Sequence, residues 1–326
     1  MRNERVRRKE FLTVLQDSTP PVGNGPDAGD PLPLAVSQSP LWRWATPALS
    51  VALLASVIWT VFVKNKLDIH EVIPTNPLIW IALLAYWAAP IIADFIIYRR
   101  LWAIPYEGLI ALSRKQVGNA LLFDLLGEAY FYGWARRKLN MATSPFGAVK
   151  DVTILSAMVG NACTLVLMAL AWPYIGTLDL GVAGTAVAAS IGLIVLVSIA
   201  IVVFGNRVFS LTKGELWWVS GIHLLRVLAT TALIALAWHL YDPQIALEVW
   251  ALLATAKLMA SRLPLFVNSE VIFANIVIWF LGKDSEIQQV VGVVTILILA
   301  IYLVAAAALA VGDLIPARKA AKEEER

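Results

Sequence analysis

Cysteine is almost absent from the chain: Cys163 is the only one in 326 residues, and it lies inside an apolar run. No disulfide can close within the chain, and no metal cluster can be built from thiolates. Histidine is scarce as well, with His70, His223 and His239 the full set of three. Charged residues reach only 15%, against about 25% in soluble domains. The sequence carries no HExxH, no phosphate loop and no Gly-x-Ser-x-Gly elbow, and its serines and histidines show no nucleophile-and-base spacing. These absences point away from catalysis: no catalytic residue, no metal and no cofactor is expected. The net charge of +3 gives no sign of a nucleic-acid partner.

Apolar residues are what the chain has in excess, at 59% and a mean hydropathy of +0.73. Several runs reach the roughly 20 residues that a spanning helix needs. They are Ala45–Val63, Pro77–Tyr98, Thr153–Trp172, Val182–Phe204, Trp217–Leu240 and Val290–Val311. Trp42, Trp44 and Trp59 stand near the ends of the first, as an interfacial aromatic belt would. Residues 1–40 are basic at MRNERVRRKE and then rich in Pro, Gly and Asp. That composition predicts a disordered cytosolic tail, and not a signal peptide, because no apolar stretch follows the basic cluster until Ala45. The transmembrane domain is expected over 41–314, and 315–326 form a second charged cytosolic tail.

Basic residues orient the spans. The N-terminal cluster, Arg99–Arg100, Arg207 with Lys213, and Arg318, Lys319 and Lys322 all fall on one side if the six runs cross in turn. Cytoplasmic flanks collect such residues, so both termini are expected in the cytosol. Lys64 and Lys66 fit this less well. Two further stretches, Ile104–Tyr132 and Ile245–Leu281, are apolar but broken by charges and proline. Their halves are short for full spans and suit re-entrant hairpins, which survive only where protein or water surrounds them. The expected fold is therefore all-α and polytopic, with six full spans and two re-entrant hairpins. Span, hairpin, span occurs over 77–172 and again over 217–311, with the hairpins opening to opposite sides. That is the layout of an inverted repeat, whose substrate site lies where broken helices meet near the midplane.

Charges at membrane depth are costly and mark candidate sites. Glu128 stands in LLGEAYFYGWARRK, followed by Arg136 and Arg137 as a basic rim. Lys257, Arg262, Asn268 and Glu270 surround Pro264, which should break the helix and free carbonyls. Such a group suits a phosphate or another anionic headgroup. It equally suits an ion pair, Lys257–Glu270 or Arg262–Glu128, that locks two hairpins together. Glu128 is expected within reach of the Lys257–Arg262 group. Arg226 lies deep in the fifth run, with Asp94 as its expected partner. His223 shares its face and serves at an interface or handles a proton.

Arg100–Trp102 after the second run, Gly127–Glu128 at a hairpin, the basic pair beyond it and the late segment Pro264–Glu270 resemble the flippase-like transmembrane region of the lysylphosphatidylglycerol synthase family. The resemblance covers about Pro77 to Gly312. The pattern differs where Leu125 and Leu126 precede Gly127, and where the late segment reads PLFVNSE. It implies a bacterial inner-membrane protein that moves or binds phospholipids or lipid-linked molecules, without the soluble synthase domain. Glu128, Arg136, Arg137, Lys257, Arg262, Asn268 and Glu270 would line the path, with Asp94, His223 and Arg226 behind them. Membrane lipids are the expected partners, along with a homo-oligomer or another membrane protein. The alternatives are an accessory subunit whose buried charges are structural and, third, a lipid-modifying membrane enzyme.

Overall fold

The structure, a computed structural model, describes residues 73–121, 126–139, 146–175, 209–262, 269–280 and 286–324. The expected spans Ala45–Val63 and Val182–Phe204, the N-terminal tail and the segment with Pro264 and Asn268 lie outside the described residues. Within them every regular element is a helix: α1 (Pro77–Trp102), α2 (Gly108–Leu121), α3 (Leu126–Lys138), α4 (Phe146–Ile175), α5 (Lys213–Tyr241), α6 (Leu247–Ala260), α7 (Ser269–Phe280) and α8 (Glu286–Glu324).

α1 and α5 start and stop where local chemistry tells them to. Asn76 caps α1 by accepting a bond from the Leu78 amide at 3.0 Å, and Pro77 follows at the first turn, where its missing N–H costs nothing. The helix closes on Ala103, held in the left-handed region at φ 49°. A capping box between Thr212 and Glu215 opens α5. Asp151, fully buried near the start of α4, accepts from the amides of Ser210 and Leu211 at 2.6 and 2.8 Å. That carboxylate fastens the lead-in of α5 to the start of α4, so both helices set out from the same end of the bundle.

α1 and α5 pack against each other, and they do so antiparallel. Ile79, Ala82 and Leu83 near the start of α1 share one core with Ile234 and Trp238 near the end of α5. Ile97 and Tyr98 near the end of α1 share a second core with Val219 near the start of α5. α2 follows directly on the end of α1, and α6 follows directly on the end of α5. The two short helix pairs, α2–α3 and α6–α7, therefore enter the bundle from opposite ends. Lys138 at the foot of α3 meets Glu107 before α2 at 2.8 Å, which places the start and finish of the first pair together.

The halves share further features. α2 packs on α8 as α6 packs on α4, and α1 touches α8 as α5 touches α4. Phe131 of α3 packs against Tyr98 and Trp102 at the end of α1, with centroid distances of 4.6 and 6.4 Å. Phe273 of α7 stacks on Trp238 near the end of α5 at 6.1 Å.

α1, α4, α5 and α8 each contain a window long and apolar enough to cross a membrane, with mean hydropathy from 1.8 to 2.8. Their outer faces are apolar too: Ile81, Leu170, Leu225 and Val304 are 61%, 66%, 65% and 69% exposed. Water does not stabilise such a surface, whereas lipid does. The chain is accordingly a membrane protein. The helices of the short pairs hold 14, 13, 14 and 12 residues. At about 1.5 Å per residue none exceeds about 21 Å, well short of a hydrocarbon layer about 30 Å thick.

Candidate functional site

Two buried charge clusters sit where the short pairs meet the long helices. In the first, Lys115 of α2 reaches Asp94 of α1 at 2.7 Å and Glu128 of α3 at 3.4 Å. Asn119, one turn beyond Lys115, donates to Glu128 at 2.9 Å and accepts from the Gly127 amide at 2.7 Å. The approach of α3 to α2 leaves no room at Gly127, where a Cβ would run into the Lys115 carbonyl oxygen and the Asn119 side chain. Glu128 thus joins the two helices of its own pair to α1 through one lysine.

In the second cluster, Lys257 of α6 donates to Glu270 of α7 at 2.9 Å and to the Tyr86 hydroxyl of α1 at 2.8 Å. The Tyr86 hydroxyl donates in turn to Glu270 at 2.5 Å. Pro90, one turn on, has no N–H for the Tyr86 carbonyl, so α1 has a locally opened backbone beside this cluster.

A cavity of about 260 Å³ opens between the second cluster and α5; Tyr86, Pro90, Asn119, Lys257 and Glu270 are among its lining residues. Arg226 and Arg262 also line it. Arg226 donates to Ser156 of α4 at 2.9 Å. The Arg262 guanidinium lies flat against Gly160 of α4, so close that a Cβ there would overlap it. Among the described residues neither arginine has a carboxylate within ion-pair distance. Two atoms here are buried without a partner among the described residues: Nε of Arg262 and Oε2 of Glu270.

The structure brings Lys257, Arg262, Glu270 and Arg226 to one cavity, and the expected Lys257–Glu270 pair forms. Other expectations need correcting. Glu128 takes Lys115 as its cation, not the Lys257–Arg262 group, because α2 packs directly on α3. Asp94 also takes Lys115, and Arg226 turns to Ser156 instead. Arg136 and Arg137 are exposed at the end of α3 and line no part of the cavity. His223 is 1% exposed, one turn before Arg226, and does not line the cavity either. Asn268 lies outside the described residues. Lys115 is the residue that sequence reasoning missed. Its signal was spacing: Lys115 precedes Glu128 by thirteen residues (128 − 115), as Lys257 precedes Glu270 (270 − 257), and each glutamate is followed three residues later by a buried phenylalanine, Phe131 or Phe273.

No family model, no curated protein and no solved structure matches the chain.

Proposed function

We propose that this protein moves a phospholipid or lipid-linked molecule across the bacterial cytoplasmic membrane, by way of the cavity between α1, α5 and the α6–α7 pair. The observation that carries the reading is a polar, cation-rich cavity inside a bundle whose outer faces suit lipid. Polar cavities at such depth are expensive and are kept where something polar passes or binds. In this reading α2–α3 and α6–α7 are re-entrant hairpins, since each is too short to cross. The matched Lys–Glu spacing, the matched phenylalanines and the exchange of packing partners between halves support an inverted repeat, the construction of many transporters. The resemblance to the flippase-like region points the same way.

A second reading, an accessory subunit with purely structural charges, is favoured by one observation: Lys115 and Lys257 are both fully engaged by carboxylates. Reconstitution separates the two. Full-length protein in vesicles with a labelled phospholipid in the inner leaflet should make the label reachable from outside faster than protein-free vesicles do. Equal rates across several headgroups would leave the subunit reading standing.

Topology is tested independently. Reporter fusions at either terminus should signal cytosol, because Arg2–Lys9, Arg99–Arg100 and Arg318–Lys322 gather on one side of six spans. A periplasmic signal at one end alone would mean an odd number of crossings.

A further inference from the structure

α4 carries two small residues one turn apart, Ser156 and Gly160, against which two of the cavity's lining side chains rest. Each seats an arginine from another helix: Arg226 bonds the serine, and Arg262 lies on the glycine. Positions i and i+4 lie along one helix face, so the two guanidiniums occupy neighbouring seats about one turn, roughly 5.4 Å, apart on α4. Two cations at that spacing repel each other unless an anion lies between them.

The charges around them show how large that anion is. Asp94, Glu128 and Glu270 supply three negative charges, and Lys115, Lys257, Arg226 and Arg262 supply four positive ones. The lysines are spoken for by carboxylates. Lys257 is matched by Glu270 and Lys115 is outnumbered by Asp94 and Glu128, so the excess of one positive charge belongs to the whole group and not to the arginines alone. Arg262 also keeps a buried Nε–H without an acceptor.

We infer that Arg226 and Arg262 form a binding site for a singly charged phosphodiester. A phosphodiester carries one negative charge at any physiological pH, which matches the excess. Its two non-bridging oxygens can each face one guanidinium, and arginine's rigid fork favours such planar, charge-assisted bonds. A phosphate monoester or inorganic phosphate would bring close to two charges and leave one unbalanced. The unpartnered Oε2 of Glu270 in the same cavity offers an acceptor for a hydroxyl or ammonium next to the phosphate. This rests on the transport reading for its source, a lipid headgroup, but the chemistry is shared with a soluble phosphodiester.

Titration calorimetry on the full-length protein in an uncharged detergent tests the site. The probes are dihexanoyl phosphatidylglycerol, its deacylated glycerophosphodiester, inorganic phosphate and octanoate. The phosphodiesters should bind at least about tenfold more tightly than octanoate or inorganic phosphate, a difference of about 1.4 kcal/mol. Arg226→Gln and Arg262→Gln should each weaken phosphodiester binding by about tenfold or more. Gly160→Ala should weaken it too, because its methyl displaces the Arg262 guanidinium. Tighter binding of the lipid than of its deacylated form assigns the site to a headgroup; equal binding assigns it to a soluble phosphodiester. Octanoate binding as well as the phosphodiesters, or undiminished binding by folded Gln variants, would overturn the site. If the Gln variants do not fold, Gly160→Ala and the ligand ranking on the parent protein decide. Phosphodiester binding without lipid movement would sink only the transport reading. Lipid movement at the parent rate in both Gln variants would sink only this site.

Discussion

Lys115→Met is expected to remove most of the folded protein from the membrane. The side chain it replaces neutralises two buried carboxylates, Asp94 at 2.7 Å and Glu128 at 3.4 Å. Removing one partner of a buried pair costs about 3–5 kcal/mol, because the remaining charge stays desolvated and unmatched. Here two charges are stranded, one on α1 and one on α3, so the upper part of that range applies. Whole proteins are stable by only about 5–15 kcal/mol. Thermal melting in detergent and the amount of protein in isolated membranes are the readouts. Arg136→Gln and Arg137→Gln are the matched controls: both side chains are exposed, and each change should stay within about 0.5 kcal/mol. A Lys115→Met protein that melts with the parent would show that Asp94 and Glu128 do not depend on this lysine.

That outcome bears on how the chain can be read at all. The long helices were legible because spanning demands a run of apolar residues, and Pro77–Tyr98 or Trp217–Leu240 cannot be mistaken for anything else. Their true ends were not. α4 begins at Phe146, seven residues before the apolar run at Thr153, since the charges of Lys150 and Asp151 hid the first turns. Asp151 is buried there only because Ser210 and Leu211, sixty residues away, present their amides to it. The short helix pairs were legible as places where apolar runs are interrupted; α6–α7 falls within the second such stretch, whereas α3 runs on past Tyr132 to Lys138.

Partners were the part that composition could not supply. Glu128 has cations ahead of it and behind it in sequence, and which one it meets depends on how α2 lies against α3. Gly127 decides that, by letting α3 touch the Lys115 backbone. Read from charges alone, Arg136 and Arg137 resemble a rim beside Glu128. On the helix they face away from the buried Phe131 and Ala135, and only packing reveals which face is inside. The arginine pair was hidden for the same reason: its members come from α5 and from the end of α6, and what joins them is the small-residue face of a third helix.

Glu270→Gln should be the second severe change, and combining it with Lys257→Met should decide whether this pair holds the fold or serves the cavity. Lys257 and Glu270 meet at 2.9 Å with side chains 10% and 12% exposed, so the single change leaves a buried ammonium without a counter-charge, with only neutral acceptors such as the Tyr86 hydroxyl. A loss of about 3–5 kcal/mol follows. Removing both charges relieves the stranded cation, and a buried pair replaced as a unit is often close to neutral. The double variant should therefore melt well above the Glu270→Gln single variant, with a coupling of up to about 3 kcal/mol for residues in direct contact. Lipid movement measured on the same double variant then separates the roles. If the pair only locks α6 to α7, a refolded double variant moves lipid at the parent rate. If the carboxylate and ammonium take part in passage, the double variant is stable and slow. The second result is the one expected here, because Lys257 and Glu270 both line the cavity and Glu270 keeps one buried oxygen unpartnered. A stable double variant with undiminished lipid movement would return the pair to a structural role and confine the transport reading to the arginines.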